Sequence, residues 1–409
     1  MTFEEKLAQF AELAVKVGAN VQKGQTLLIN TTTDTVEFTR MVVKKAYEAG
    51  AARVTVNFSD GVIDRELFDN APVEEFEKFP RWIAEQRDEL IERKGALLWI
   101  DAADPDLLTG VPVNKLSTHQ KAAGKALENY REAVMNDKIA WSIIAIPSKA
   151  WAKKVFPNLP EDEQVEALWD AIFKTVRIGE GSAVENWSAH LERLHSRADI
   201  LNEKRYAKLI YKAPGTELEV ELPAKHIWQT GSSKTPDNTE FVANMPTEEV
   251  FTLPAKYGVN GFVSNTKPLV FQGNIIDDFT LTFKDGVIVK AEAGVGHDLL
   301  QEMISADEGS KYIGEIALVP HESPISSSNI LYYNTLFDEN ASNHIAVGAA
   351  YPTCYEGGSE LSEEELDAHG INTSITHEDF MVGSAEMDID GVLPDGTIEA
   401  IFRKGNWAY

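Results

Sequence analysis

The chain has one cysteine, Cys354. No disulfide can form within it, and a zinc module built on two or more cysteines is excluded. A reducing, cytoplasmic setting is expected. Basic residues are scarce: 38 Lys and Arg stand against 65 Asp and Glu, a formal net charge of -27. That shortage argues against nucleic acid, whose phosphates need a basic face, and against anionic membrane surfaces. Long apolar runs are also missing. Ile139–Ile146 is among the longest and is far too short to span a bilayer. The start, Met1-Thr2-Phe3-Glu4-Glu5-Lys6, lacks the basic region and apolar core of a signal peptide, so none is expected. Neither Gly-x-Gly-x-x-Gly nor a Walker A pattern follows the first predicted strand, which argues against a nucleotide cradled by backbone amides. No internal repeat or low-complexity segment stands out.

What is present fits a folded protein of two domains. The chain has 409 residues, too many for one small core, with 43% hydrophobic and 25% charged residues. Phe3, Leu7, Phe10, Leu13 and Val17 follow a helical period that Gly18 closes. Strands are predicted at Gln25–Ile29, Ala52–Phe58, Ala96–Ile100 and Ile139–Ile146. Helical stretches lie between them over 35–49, 60–70, 73–94 and 113–135, the first capped from the threonine run with Asp34. Such alternation predicts a Rossmann-like parallel sheet. Further helices are expected over 161–176 and 183–205. From Ala207 the pattern becomes β-rich, with a hairpin around Pro214-Gly215 and strands at Gly261–Ser264, Thr280–Phe283 and Val287–Glu292. The expected fold class is α/β: an N-terminal Rossmann-like domain over 1–205 and a β-rich α+β domain over 206–409.

The last hundred residues concentrate the chemistry. Glu315, His321, Glu322, Asp338, Glu339, His344, Tyr351, His377, Glu378 and Asp379 fall there. Imidazole plus carboxylate without cysteine is the ligand set of hydrolytic Zn, Co or Mn sites. His377 and Asp379, two apart in a predicted strand, point to one face, with Glu378 on the other. Asn343 is read as the cap of a helix beginning at His344, which sets His344, Val347, Gly348 and Tyr351 on one helical face. Glu315 lies in the apolar strand Gly314–Val319, where a buried carboxylate needs a cation or an arginine. Upstream, Glu248 and Glu249 would face opposite sides of an extended segment. The acid run 360–367 reads as a solvated helix start. Together the carboxylates and histidines suit two ions sharing a carboxylate.

Four motifs in order carry a family likeness: Asn244-Met-Pro-Thr-Glu-Glu-Val-Phe-Thr252, Gly314-Glu-Ile-Ala-Leu-Val319, Asn340-Ala-Ser-Asn-His344 and His377-Glu-Asp-Phe-Met-Val-Gly383. The chain resembles the aminopeptidase T / aminopeptidase S family of metallopeptidases from its first helix to Phe402-Arg403. The resemblance implies a homodimeric exopeptidase that releases N-terminal residues from peptides with free N-termini, using two divalent metal ions (Zn, Co or Mn). It implies metal ligands at Glu249, Glu315, Glu339, His344, His377 and Asp379, and an active-site tyrosine at Tyr351. A one-residue slip in the first motif would exchange Glu249 for Glu248. In the expected mechanism Glu315 bridges the ions, Glu249 or Glu315 moves protons, and Tyr351 donates to the oxyanion. The rival readings are another dinuclear hydrolase (amidohydrolase or phosphoesterase) and a non-enzymatic acidic binding protein.

Overall fold

The computed structural model describes residues 1–271 and 273–409. The chain divides into two compact units, Met1–Glu192 with Gly231–Thr247, and Arg193–Thr230 with Glu248–Tyr409.

The first unit holds a parallel sheet. Its strands are β1 (Thr26–Thr32), β2 (Arg53–Ser59), β3 (Ala96–Asp101) and β4 (Trp141–Ala145), and they lie in the order β2-β1-β3-β4. All pairs are parallel. Helices Val36–Glu48, Gly61–Asn70, Arg81–Glu92 and Val113–Ala126 fall between them. This is the doubly wound arrangement that strand–helix alternation dictates. A fifth strand, Asn244–Met245, pairs in parallel with the outer edge of β4. It comes from the segment that returns to this unit after an excursion of 38 residues, Arg193–Thr230. The threonine run does not cap the helix at 36. No side-chain bond caps that helix, and the Thr35 hydroxyl donates instead to the Thr32 carbonyl at 2.8 Å.

In the second unit, nine strands among the described residues form one antiparallel sheet, which includes the hairpin Lys208–Ala213 and Thr216–Glu221. A smaller antiparallel sheet carries β5 (Val250–Thr252), β6 (Ile313–Leu318), β7 (His344–Gly348) and β8 (His377–Met381). Its order is β8-β7-β6-β5, with Gln229–Thr230 beyond β5. One face of this sheet is apolar. Val250, Ile316, Leu318, Ile345, Val347 and Phe380 are all fully buried in a shared core with Leu209, Leu218, Val220 and Phe279 of the larger sheet. Each such side chain contributes about 1.5–3 kcal/mol by leaving water. The acid run behaves as a helix start: Ser362 and Glu365 form a capping box on the helix Glu363–Ala368. Among the described residues, no helix is long and apolar enough to cross a membrane.

The helix expected from His344 is instead strand β7. Ile345 and Val347 are β-branched and pair on both sides, with Ile345 opposite Ile316 on β6 and Phe380 on β8. Asn343 caps nothing. Its Oδ1 accepts from the Val319 N–H at 2.8 Å, pinning the end of β6.

Candidate metal centre

Strand alternation sorts this sheet chemically. The residues of β5 to β8 that do not enter the apolar core turn acids and imidazoles to the other face. Small residues stand across from most of the ligand-type residues, while His344 has Ala317 on one side and Met381 on the other. His377 faces Gly348, Asp379 faces Ala346, His344 faces Ala317, and Glu315 also faces Ala346. Small neighbours leave space above the sheet that larger side chains would fill.

Two glycines shape the same region. The pairing of β6 with β7 shifts between Ile313 and Glu315, which re-aims the Glu315 side chain. A Cβ on Gly314 would lie 2.2 Å from the Ala349 carbonyl, so only glycine permits this approach. Gly348 ends β7 at φ 109°, and a Cβ there would meet the Thr376 carbonyl at 2.2 Å.

The side chains converge in two groups among the described residues, Glu249 with Glu315 and His344, and Glu315 with His377 and Asp379. Within each group the ligand atoms lie within 4.8 Å of one another. Glu315 belongs to both. Its Oε1 lies 3.7 Å from His344 Nε2, and its Oε2 lies 3.7 Å from His377 Nε2. Glu249 Oε2 is 3.0 Å from His344 Nε2, and Asp379 Oδ2 is 3.5 Å from His377 Nε2. The other ring nitrogens are engaged from behind. His344 Nδ1 meets the Glu339 carbonyl at 2.9 Å, and His377 Nδ1 meets the Ala349 carbonyl at 2.7 Å. A carbonyl only accepts, so Nδ1 donates in both rings and Nε2 is the atom turned to the carboxylates, free to release its own proton when a metal ion takes its place.

The remaining candidates lie close by. Glu339 is buried and falls outside both groups of three, yet Asp379, Glu249, His344 and Glu315 all act on its charge. The Tyr351 ring stands edge-on to His377, with centroids 5.0 Å apart, and Phe251 supports it from 5.9 Å. Of the two neighbouring acids upstream, it is the Glu249 carboxylate that reaches His344. Glu378 points to the opposite face, across from Val347. Asp338 accepts the backbone N–H groups of Tyr332 and Asn334 at 2.9 and 3.1 Å, a loop-bracing role.

Burial crowds these acids together at a cost that a bound cation would relieve. Burial, reinforced by Asp379 and Glu249, pushes Glu315 up to about 7. Burial with Asp379 and Glu249 holds Glu339 well above the usual carboxylate range. Burial acts to lower His344, but its hydrogen bonds to Glu249 and Glu315 outweigh that and raise it well above its ordinary value. Burial also keeps the Tyr351 phenol protonated far above its usual range, and Glu315 and Asp379 add to the effect. Asp379 Oδ1 is buried with no hydrogen-bond partner. An orphaned carboxylate oxygen among other acids fits a metal ion, and the nitrogen and oxygen donors suit borderline divalent ions.

Sequence reasoning did not find Asn340, whose side chain bonds to the Glu339 carboxylate and to the backbone of Glu248. Its only sequence signal is its place inside the motif that ends at His344.

A parallel α/β unit joined to a β-rich unit with a buried carboxylate–imidazole face defines a metal-dependent hydrolase. Residues 3–407 match the thermophilic metalloprotease (M29) family, and the chain belongs to it. It is 51% identical to aminopeptidase AmpS of Bacillus subtilis over 408 residues, covering 100% of both chains. It is 38% identical to aminopeptidase T of Thermus aquaticus over 99% of both. The solved structure of wild-type AmpT from Thermus thermophilus superposes with a TM-score of 0.92 at 37% identity, covering 100% of both chains.

Proposed function

We propose that this chain is a dinuclear metalloaminopeptidase that hydrolyses the first peptide bond of peptides with free N-termini. The observation that carries the two-ion reading is Glu315, with one carboxylate oxygen turned to each histidine at 3.7 Å. Glu249, Glu315 and His344 would hold one ion, and Glu315, His377 and Asp379 the other, with Glu339 completing the set. Zn, Co and Mn fit these donors. When bound, such a pair supplies Lewis acidity and lowers the pKa of a water molecule.

The chain's own residues provide the rest. Glu249 or Glu315 takes a proton from the attacking water and returns it to the leaving amine. Tyr351 keeps its proton across the neutral range and donates a hydrogen bond to the oxyanion. A free α-amine has a lone pair that a bound divalent ion would accept and an acetylated one does not, which favours peptides with free N-termini. The aminopeptidase names of the relatives support this substrate class. We further propose a homodimer in a cytoplasmic setting, on the family likeness and the single cysteine; light scattering after gel filtration tests the former.

The decisive assay offers each peptide in free and N-acetylated form to protein loaded with Zn, Co or Mn. Release of free amino acids from the unblocked series alone is expected. Equal cleavage of both series, or of phosphoesters instead, would overturn the exopeptidase reading.

A further inference from the structure

Asn340 is fully buried in the turn Glu339–Ala341 that leads into β7. Its side-chain amide joins two stretches of chain about ninety residues apart. Oδ1 accepts from the backbone N–H of Glu248 at 2.7 Å. Nδ2 donates to the Leu336 carbonyl and to Glu339 Oε1, both at 3.2 Å. The orientation of the amide follows from its partners, because a backbone N–H only donates and a carbonyl only accepts. The backbone carbonyl of Asn340 separately accepts the Ser323 hydroxyl at 3.0 Å. Both ends of the side-chain amide are therefore engaged.

We propose that Asn340 is a positioning residue for the metal centre, holding Glu249 through the backbone of Glu248 and Glu339 through its carboxylate. It touches neither ion nor substrate. Glu249 is one residue from the tethered Glu248 N–H, so a displacement there passes directly to a carboxylate that lies 3.0 Å from His344 Nε2. Glu339 sits among other carboxylates, where each one repels the next. A neutral donor such as an amide steadies it without adding a charge that would compete with the metal. Aspartate has the same shape but lacks the donor. Serine is too short to span both partners.

This inference rests on the metal reading above, and metal binding itself gives the test. Full-length protein is stripped, then titrated with Co or Zn against a competing chelator, with circular dichroism confirming the fold. Wild type is expected to bind, and Asn340→Ala to bind roughly 10- to 100-fold more weakly with an altered Co(II) visible spectrum. In a Glu339→Gln background the added loss from Asn340→Ala should shrink, because part of its action passes through Glu339. If Asn340→Ala does not fold, Asn340→Asp is read in the same way. Wild-type affinity in a folded Asn340 variant overturns the positioning role, as does an identical loss in both backgrounds. Failure of the wild-type protein itself to bind any divalent ion overturns the metal reading instead and takes this inference with it.

Discussion

His344 presents Nδ1 to the backbone carbonyl of Glu339 at 2.9 Å, and that bond fixes which ring nitrogen faces the acids. The imidazole is therefore pre-set as a ligand, with its Nε2 aimed between Glu249 and Glu315. Replacing His344 by Ala is expected to remove one of the two proposed ions and to lower peptidase activity by roughly 100-fold or more. Elemental analysis after dialysis reads the stoichiometry. Two retained ions per chain would sink the assignment.

Tyr351 is expected to act through its hydroxyl alone. Tyr351→Phe keeps the ring between Phe251 and His377, so the metal content should not change. Turnover is expected to fall about 100-fold, the usual effect of deleting one oxyanion donor. The two readings separate cleanly: lost activity with lost metal would mean a packing role, and unchanged kcat would mean no role.

Ala346 lies opposite both Glu315 and Asp379 and is fully buried. Valine suits a strand, so Ala346→Val should leave the sheet formed at a cost of about 1–3 kcal/mol from overpacking. The added methyl groups intrude on the space above the sheet, and metal affinity is expected to fall more than stability does. Calorimetric titration beside a melting curve tests this. A variant with normal affinity would show that the small neighbours do not matter.

In the other unit, Asp137 carries a different signal. Burial pushes its carboxyl up to about 7, against the Ser233 hydroxyl bond that lowers it. Between pH 4 and 7 the unfolded chain releases this proton while the folded chain keeps it, so stability falls as pH rises through that window and levels off above it. Asp137→Asn should flatten this dependence and raise stability at pH 8 by about 1–3 kcal/mol. The position has φ 53°, which asparagine accepts readily. Denaturant melts at pH 5 and pH 8 would show the difference, and equal slopes in both proteins would refute it.

The strand–helix alternation from Thr26 to Ala145 was legible because short apolar runs, even one buried throughout like Leu27–Ile29, alternate with stretches of helical period. The same rule failed at His344. Every residue of β7 is buried on both faces, which erases alternation, and Asn343 just before it mimics a helix cap. Only the neighbouring strands reveal the truth, and they lie far off in sequence. The strand Asn244–Met245 was illegible for a similar reason, since two residues carry no period and their partner is β4, about a hundred residues earlier. The pairing of His377 with Asp379 on one face could be read locally. The role of Asn340 could not, because hydrogen bonds across ninety residues leave no mark on spacing.

The late return of Gly231–Thr247 has a further consequence during synthesis. The parallel sheet of the first unit cannot gain its last strand until residue 245 has left the ribosome, after the stretch Arg193–Thr230 has already emerged. The nascent chain must therefore hold an unfinished edge at β4 while a segment destined for the other unit waits. No single cut in the polypeptide would release either unit whole. A chain cut between Ala145 and Asn244 should leave the β4 edge unpaired and prone to aggregate.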